Sequence, residues 1–258
     1  MKAINQRSKP KISIIIPTYN EENNIKETLI AVKKQICEIP YEIIVADGQS
    51  SDNTVSIAKN FAEVIISPQK GKAFQLNYVA PKASGDLLLF LDADTLIGPS
   101  FLQKIYEIFE KDKDENLFAC SARIKYYDGK AISLKWGSLK IIITSYFFQN
   151  IFMHSYYFFK TLFGYPELSG SNIIVRKDIF FKAGGFKPPP KSMMGIDKIF
   201  SDSLIYLSRK MKRGKIKTLN FISVLTSGRH LNVQRSLKRV SLYHTKKDVY
   251  YELAKELE

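Results

Sequence analysis

Cysteine occurs twice in 258 residues, at Cys37 and Cys120, and histidine only three times. Two cysteines are too few for a disulfide framework or a thiolate zinc site, and they fit a reducing compartment. The first residues, MKAINQRSKPK, lack the apolar run of a secretory signal, so a cytoplasmic location is the expectation. Acidic residues are also scarce, 25 against 39 Lys+Arg, leaving a formal net charge of +14. A surplus of that size suggests nucleic acid, an anionic membrane face or a phosphorylated substrate as partner. It is unevenly spread: residues 1–204 carry 26 − 21 = +5 and residues 205–258 carry 13 − 4 = +9. What is present is ordinary for a globular protein, with 45% hydrophobic and 25% charged residues, which excludes disorder, collagen-like repeats and a pure coiled coil. The length suits one large domain or two small ones, and no repeat or hinge-like linker divides it.

Two β-branched runs, residues 12–16 closed by Pro17 and residues 41–46 closed by Asp47 and Gly48, have the length and flanks of buried strands. Between them Ile25, Leu29, Val32 and Ile36 recur at helical spacing, with Asn23 and Asn24 as available caps. The pattern repeats: a helix with Val55, Ala58, Phe61 and Ala62 inward, a strand over 64–67, a helix over about 72–80 and a strand over 87–91. Such alternation predicts an α/β fold whose mostly parallel sheet is flanked by helices. After Asp94, Pro99 opens a helix with Leu102, Ile105 and Phe109 inward, and residues 117–127 read as extended. A strand over 173–175 and a short helix stopped by Gly184 and Gly185 follow, then a helix over 203–213.

Two stretches stand apart. Residues 141–159 carry no charge, but Thr144, Ser145, Gln149, Asn150, His154 and Ser155 scatter around a helix drawn through them. Six polar side chains favour a buried or membrane-surface helix over a spanning one. In the last residues, Val233, Leu237, Val240, Tyr243, Tyr250, Leu253 and Leu257 share a helical face beside Arg235, Lys238, Arg239, Lys246 and Lys247, a basic amphipathic tail over 231–258.

Ligands of open α/β sheets sit at the carboxyl ends of the strands. Here the loops after the strands are polar: Pro17-Thr18-Tyr19-Asn20-Glu21, Asp47-Gly48 and Asp92-Ala93-Asp94. No Gly-x-Gly-x-x-Gly follows the first strand, which counts against a dinucleotide enzyme, and Lys70-Gly71-Lys72 lacks the rest of a P-loop. Asp92 and Asp94, two apart at a strand end, point to one side, so both carboxylates can share a hard divalent ion whose other positions go to diphosphate oxygens and water. A solvated turn is the alternative for a lone Asp-x-Asp, and the two companion loops weigh against it.

The blocks IIIPTYNEENN, EIIVADGQSSDNT, GKAFQLN, GDLLLFLDAD and GSNIIVRKDIFFKAGGF, in that order over about residues 11–215, resemble family 2 glycosyltransferases. The resemblance implies a GT-A fold, a nucleotide-diphosphate sugar donor, Mg²⁺ or Mn²⁺, and inversion at the anomeric carbon, with residues 1–230 as the transferase domain. It implies that Pro17, Tyr19 and Glu21 frame the base and ribose, that Asp47 meets the base edge, that Lys72 touches the donor, and that Asp92 and Asp94 hold ribose and metal. An inverting transfer needs a carboxylate to take the acceptor proton. The family's acidic pair before a helix ending in Gly matches Asp202 ahead of Gly214, with a helix N-cap as the competing role for Asp202 and Asp197 as the substitute base. His230, in Ser227-Gly228-Arg229-His230, is a candidate metal or phosphate contact, and Gly170-Ser171-Asn172 would line the acceptor side. The expected partners are the nucleotide-sugar donor and a glycan or lipid-linked acceptor, with peripheral membrane contact at the inner face of the cell membrane and no nucleic acid. Two other readings remain at this point, a sugar-phosphate nucleotidyltransferase and a non-catalytic basic protein binding membrane or nucleic acid.

Overall fold

The computed structural model describes residues 10–128, 132–136, 139–143, 155, 167–188 and 195–228. Strands β1 (Ile12–Thr18), β2 (Tyr41–Asp47), β3 (Glu63–Ile66) and β4 (Leu87–Leu91) alternate with helices α1 (Ile25–Lys33), α2 (Thr54–Ala58) and α3 (Lys72–Val79). Then come β5 (Thr95–Ile97), α4 (Phe101–Lys111), β6 (Leu117–Asp128), β7 (Ile132–Trp136) and β8 (Leu139–Ile143). The rest is β9 (Asn172–Arg176), α5 (Lys177–Lys182), α6 (Ile196–Met211) and β10 (Lys215–Ser227). Eight strands form one sheet in the order β3-β2-β1-β4-β9-β6-β10-β5, and β7 pairs with β8 in a separate hairpin. β3, β2, β1 and β4 run parallel. β9 is antiparallel to both β4 and β6, while β10 is parallel to β6 and antiparallel to β5.

Strand alternation sends successive side chains to opposite faces, which is why runs such as ISIIIPT are apolar throughout: both faces of the sheet are covered. Ile12, Ile14 and Ile16 meet Leu29 and Val32 of α1 and Ile105 and Phe109 of α4. Ile15, Ile44, Leu88 and Phe90 face Leu76 of α3, Phe180 of α5 and Phe200 and Leu204 of α6. On that second face Phe90, Phe180, Phe186 and Phe200 pack ring to ring, with Phe186 and Phe200 centroids 4.7 Å apart and Phe90 and Phe186 edge to face at 4.9 Å. Burial of each such side chain contributes about 1.5–3 kcal/mol. The interlocked rings therefore fix α5 and α6 against the sheet.

Several expectations are corrected. Ile36 is 75% exposed, because α1 ends at Lys33 and the Ile36 amide turns away to the carbonyl of Pro99. Asn24 occupies the N-cap of α1 without a side-chain cap bond; its amide instead donates to Glu21 Oε2 at 2.8 Å. The charge-free stretch does not start as a helix: Ile141, Ile142 and Ile143 belong to β8, opposite Leu134, Ser133 and Ile132. Its remainder lies outside the described residues except Ser155, and the tail over 231–258 lies wholly outside them. The helix expected over 203–213 starts at Ile196 instead, so Asp202 is an interior residue and the N-cap role is excluded. Among the described residues no helix is long and apolar enough to cross a membrane.

Candidate active site

The carboxyl ends of β1 and β2 are fastened to each other before any ligand arrives. Gln75 of α3, 3% exposed, donates its amide to the carbonyls of Thr18 and Ala46, both at 2.7 Å. A side chain at Gly48 would put its Cβ 2.9 Å from Gln75 Cδ, so the glycine makes room for this strap. Pro17 fits at the end of β1 because the ladder to β4 stops at Ile15 and Phe90. The loops beyond are cross-stitched. Asn20, in the left-handed region at φ 54, receives an amide bond from Ser51 at 2.9 Å and gives its own N–H to Ser50 Oγ at 2.9 Å. The Glu21 amide donates to Thr54 Oγ1 at 2.7 Å, and Glu22 accepts from the Asn53 amide at 3.0 Å while its own amide donates to Asp52 at 3.2 Å. Burial alone would raise the Asp52 carboxyl, but the bonds it accepts from Thr54 and Glu22 win and hold it below the usual carboxylate range.

Asp47 lies under this lattice at 0% exposure. It accepts from Thr18 Oγ1 at 2.9 Å, Ser50 Oγ at 2.6 Å and the Ser50 amide at 2.8 Å. Tyr19 is the opposite case: 49% exposed, with Lys70 Nζ 4.8 Å from its ring centroid. It offers an open aromatic surface flanked by a cation.

At the end of β4 the Asp92 amide donates to the Ser171 carbonyl at 3.0 Å and the Thr95 amide closes a turn onto the Asp92 carbonyl at 3.1 Å. Lys72, the first residue of α3, forms an ion pair with Asp92 Oδ1 and donates to the Gly170 carbonyl at 3.0 Å. Thr28 Oγ1 pins the Ala93 carbonyl at 2.7 Å. Asp94 is 8% exposed and receives a 3.4 Å bond from Thr226 Oγ1 of β10, itself 2.8 Å from Thr95 Oγ1. The structure thus places Asp92 and Asp94 at one strand end but in different settings, one open beside an ammonium and one tucked against β10. Among the described residues no three His, Cys, Asp or Glu side chains converge on a common point. A pair of carboxylates where a cationic ammonium already rests fits a hard divalent ion that takes its other oxygens from phosphate and water.

The far wall comes from the loop ahead of β9 and the start of α6. Asp197, in the first turn of α6, lies so close to Gly170 that a Cβ there would be 3.0 Å from its Oδ2. Gly170 therefore touches both Lys72 and Asp197, bringing a third carboxylate to the same edge as Asp92 and Asp94. Burial first, and the Asp197 charge second, push the Tyr126 hydroxyl up to about 12. Asp202, one turn further along α6, is held by Lys198 in an i,i+4 ion pair. Asn172 completes the floor, accepting the Ala122 amide at 2.6 Å. His230 and Arg229 lie outside the described residues.

Sequence reading missed Gln75, Ser50, Thr28 and Thr226. Gln75 was findable as a polar residue on the buried stripe of α3, between Ala73 and Leu76, and Ser50 by its place three residues after Asp47, the spacing of a local side-chain turn; Thr28 and Thr226 have partners distant in the chain and leave no local signal.

The family model described as "Glycosyl transferase family 2" matches residues 13–182. The chain is 33% identical over 116 residues to "Uncharacterized glycosyltransferase YfnE" of Bacillus subtilis, covering 43% of this chain and 29% of that one. It is 31% identical over 115 residues to the undecaprenyl-phosphate 4-deoxy-4-formamido-L-arabinose transferase of Serratia proteamaculans, covering 40% of this chain and 35% of that one. It spans about a third of the length of these curated relatives. Among solved structures, the mannosyltransferase PcManGT of Pyrobaculum calidifontis in complex with GDP-Man and Mn²⁺ superposes with a TM-score of 0.56 at 19% identity, over 86% of this chain and 58% of that one. The fold is the GT-A arrangement. With the strand-end loops, the Asp-x-Asp and the reversed strand β9 all inside the matched span, the chain belongs to glycosyl transferase family 2.

Proposed function

We propose that this chain is an inverting glycosyltransferase that moves a sugar from a nucleotide diphosphate to a hydroxyl or lipid-linked acceptor. The observation that carries the reading is the meeting at Gly170 of Lys72, paired with Asp92, and the carboxylate of Asp197. A leaving diphosphate needs cations on one side of the transferred sugar, and an attacking hydroxyl needs a base on the other. Tyr19 stacks on the base, and the loops around Glu21 and the buried Asp47 shape the pocket for base and ribose. Asp92 and Asp94 would hold Mg²⁺ or Mn²⁺, whose charge would offset the one that develops on the leaving diphosphate. Lys72 exchanges its Asp92 contact for a diphosphate oxygen. Asp197 takes the proton as the acceptor oxygen bonds to the anomeric carbon and the bond to the diphosphate breaks. Attack from the side opposite the diphosphate inverts that carbon. The assignment prefers Asp197 to Asp202, because Asp202 is engaged by Lys198 within its own helix. The complex of PcManGT with GDP-Man and Mn²⁺ supports the donor class and metal by analogy, and the name of the undecaprenyl-phosphate transferase supports a lipid-linked acceptor. The test is binding and turnover of a UDP- and GDP-sugar panel with Mn²⁺. Saturable binding of one donor that weakens at least tenfold in Asp94→Asn is expected; no binding of any donor refutes the proposal.

A further inference from the structure

Strand β6 carries a charged group that the proposed transfer does not use. The Nε of Arg123 is shut away from solvent without a hydrogen-bond partner, although the residue as a whole is only partly buried. A buried N–H without an acceptor is costly, and native structures satisfy nearly all of them. Among the described residues no carboxylate or carbonyl pairs with the Arg123 side chain, so its charge stays available to an anion that arrives on its accessible side. Its place in the sheet says which anion. Asp92 bonds to Ser171, and the β6–β9 register of Ser121 with Ile173 sets Arg123 level with the same Ser171. Asp92 and Arg123 therefore stand at one height, two strand spacings or about 10 Å apart. Residues two apart share a strand face, and Ser121 Oγ on that face accepts the Ser169 amide at 3.1 Å. Arg123 thus leaves β6 toward the loop that carries Gly170, across from the Asp92 pair.

We infer that Arg123 is the receptor for a phosphate group that the acceptor carries beside its attacking hydroxyl, so that the enzyme glycosylates a phosphorylated acceptor rather than a neutral glycan. This rests on the glycosyl-transfer reading and deepens it. A guanidinium takes two phosphate oxygens at once in a fixed fork, which holds the acceptor in register for attack. Opposite Arg123, β10 slips register between Leu219 and Ser223, and Phe221 in that slip is 73% exposed, an apolar neighbour for a hydrocarbon chain on the phosphate.

The experiment measures binding by calorimetry on the full chain, with Mn²⁺ and saturating UDP or GDP present. Farnesyl phosphate, inorganic phosphate and farnesol are the probes. Wild-type protein is expected to bind farnesyl phosphate and to ignore farnesol at equal concentration. Arg123→Gln should bind farnesyl phosphate at least tenfold more weakly, Arg123→Lys should fall between, and the affinity for the nucleotide should stay within twofold in both. Preference for farnesyl phosphate over inorganic phosphate assigns the group to a lipid; equal affinity assigns it to the bare phosphate, and both support the receptor. Unchanged phosphate binding in Arg123→Gln, parallel loss of nucleotide affinity, or no phosphate binding by the wild type each overturns it. Arg123→Lys carries the comparison if the glutamine variant unfolds. Failure of nucleotide binding in the wild type, with phosphate binding still dependent on Arg123, would instead strike the transferase reading alone.

Discussion

Replacing Gln75 by Ala removes the strap between β1 and β2. Two buried bonds at 2.7 Å are lost, each worth about 0.5–1.5 kcal/mol net, and truncating a side chain that is 3% exposed leaves a small cavity besides. The sum is about 2–3 kcal/mol, which for a chain of this size lowers the melting temperature by about 5–10 °C. Gly48→Ala attacks the same contact from the other side. Gly48 is not among the positive-φ glycines, so its penalty is purely steric: the new methyl sits 2.9 Å from Gln75 Cδ, an overpacking of about 1–3 kcal/mol. In the double variant that methyl enters the space the amide vacated. Urea unfolding of both single variants and the double should therefore show a coupling of at least about 1 kcal/mol, the double being more stable than the sum predicts. Additive losses, or a melting temperature for Gln75→Ala within about 1 °C of wild type, would refute the strap.

Asp197→Asn should lower turnover about a hundredfold or more with donor affinity within twofold, while Asp202→Asn should stay within a few-fold, both read from steady-state kinetics alongside nucleotide titration. Asp112 is held below the usual carboxylate range: burial opposes this, but bonds from the Leu117 amide and Arg176 prevail. Its stabilising effect is therefore complete above the ordinary carboxyl value of about 4 and drains away as pH falls through the lower folded value; the urea midpoint should drop on acidification, and drop less in Arg176→Met. Gly214, at φ 104 with the Phe118 ring in the way of any Cβ, should not tolerate Ala: circular dichroism should show a marked loss of melting temperature. Burial pushes both thiols up, Cys120 far more than Cys37, so a thiol reagent at neutral pH should modify Cys37 slowly and Cys120 only after unfolding.

The parallel half of the sheet was legible because each of its elements states itself locally. Apolar runs end in Pro17, Asp47-Gly48 and Asp92, and helical spacing fills the gaps between them, so the loops that build the donor side could be placed from the sequence. The other half is fixed by contacts between distant segments. β5 has three residues and owes its existence to β10, whose own alternation is broken by the register slip opposite Arg123. α6 starts at Ile196, where no side-chain cap marks the boundary, and that start is what separates Asp197 from Asp202. The chain position of Asp47 suggests a base-edge contact but does not show its enclosure, which comes from the serine three residues on folding back over it.

β9 is the one strand of the main sheet that runs against both its neighbours. Its first residue, Asn172, consequently opens at the same rim where β6 departs at Asp128. The segment between those two points leaves and rejoins the sheet at ends that the neighbouring strands already hold together, and lengthening a connection of that kind costs only logarithmically in closure entropy. The chain can therefore change length ahead of Gly170 and Ser171, which stay fixed through their bonds to Lys72 and Asp92. A scaffold wired this way can exchange an insert without moving the strand ends that carry Asp47 and Asp92.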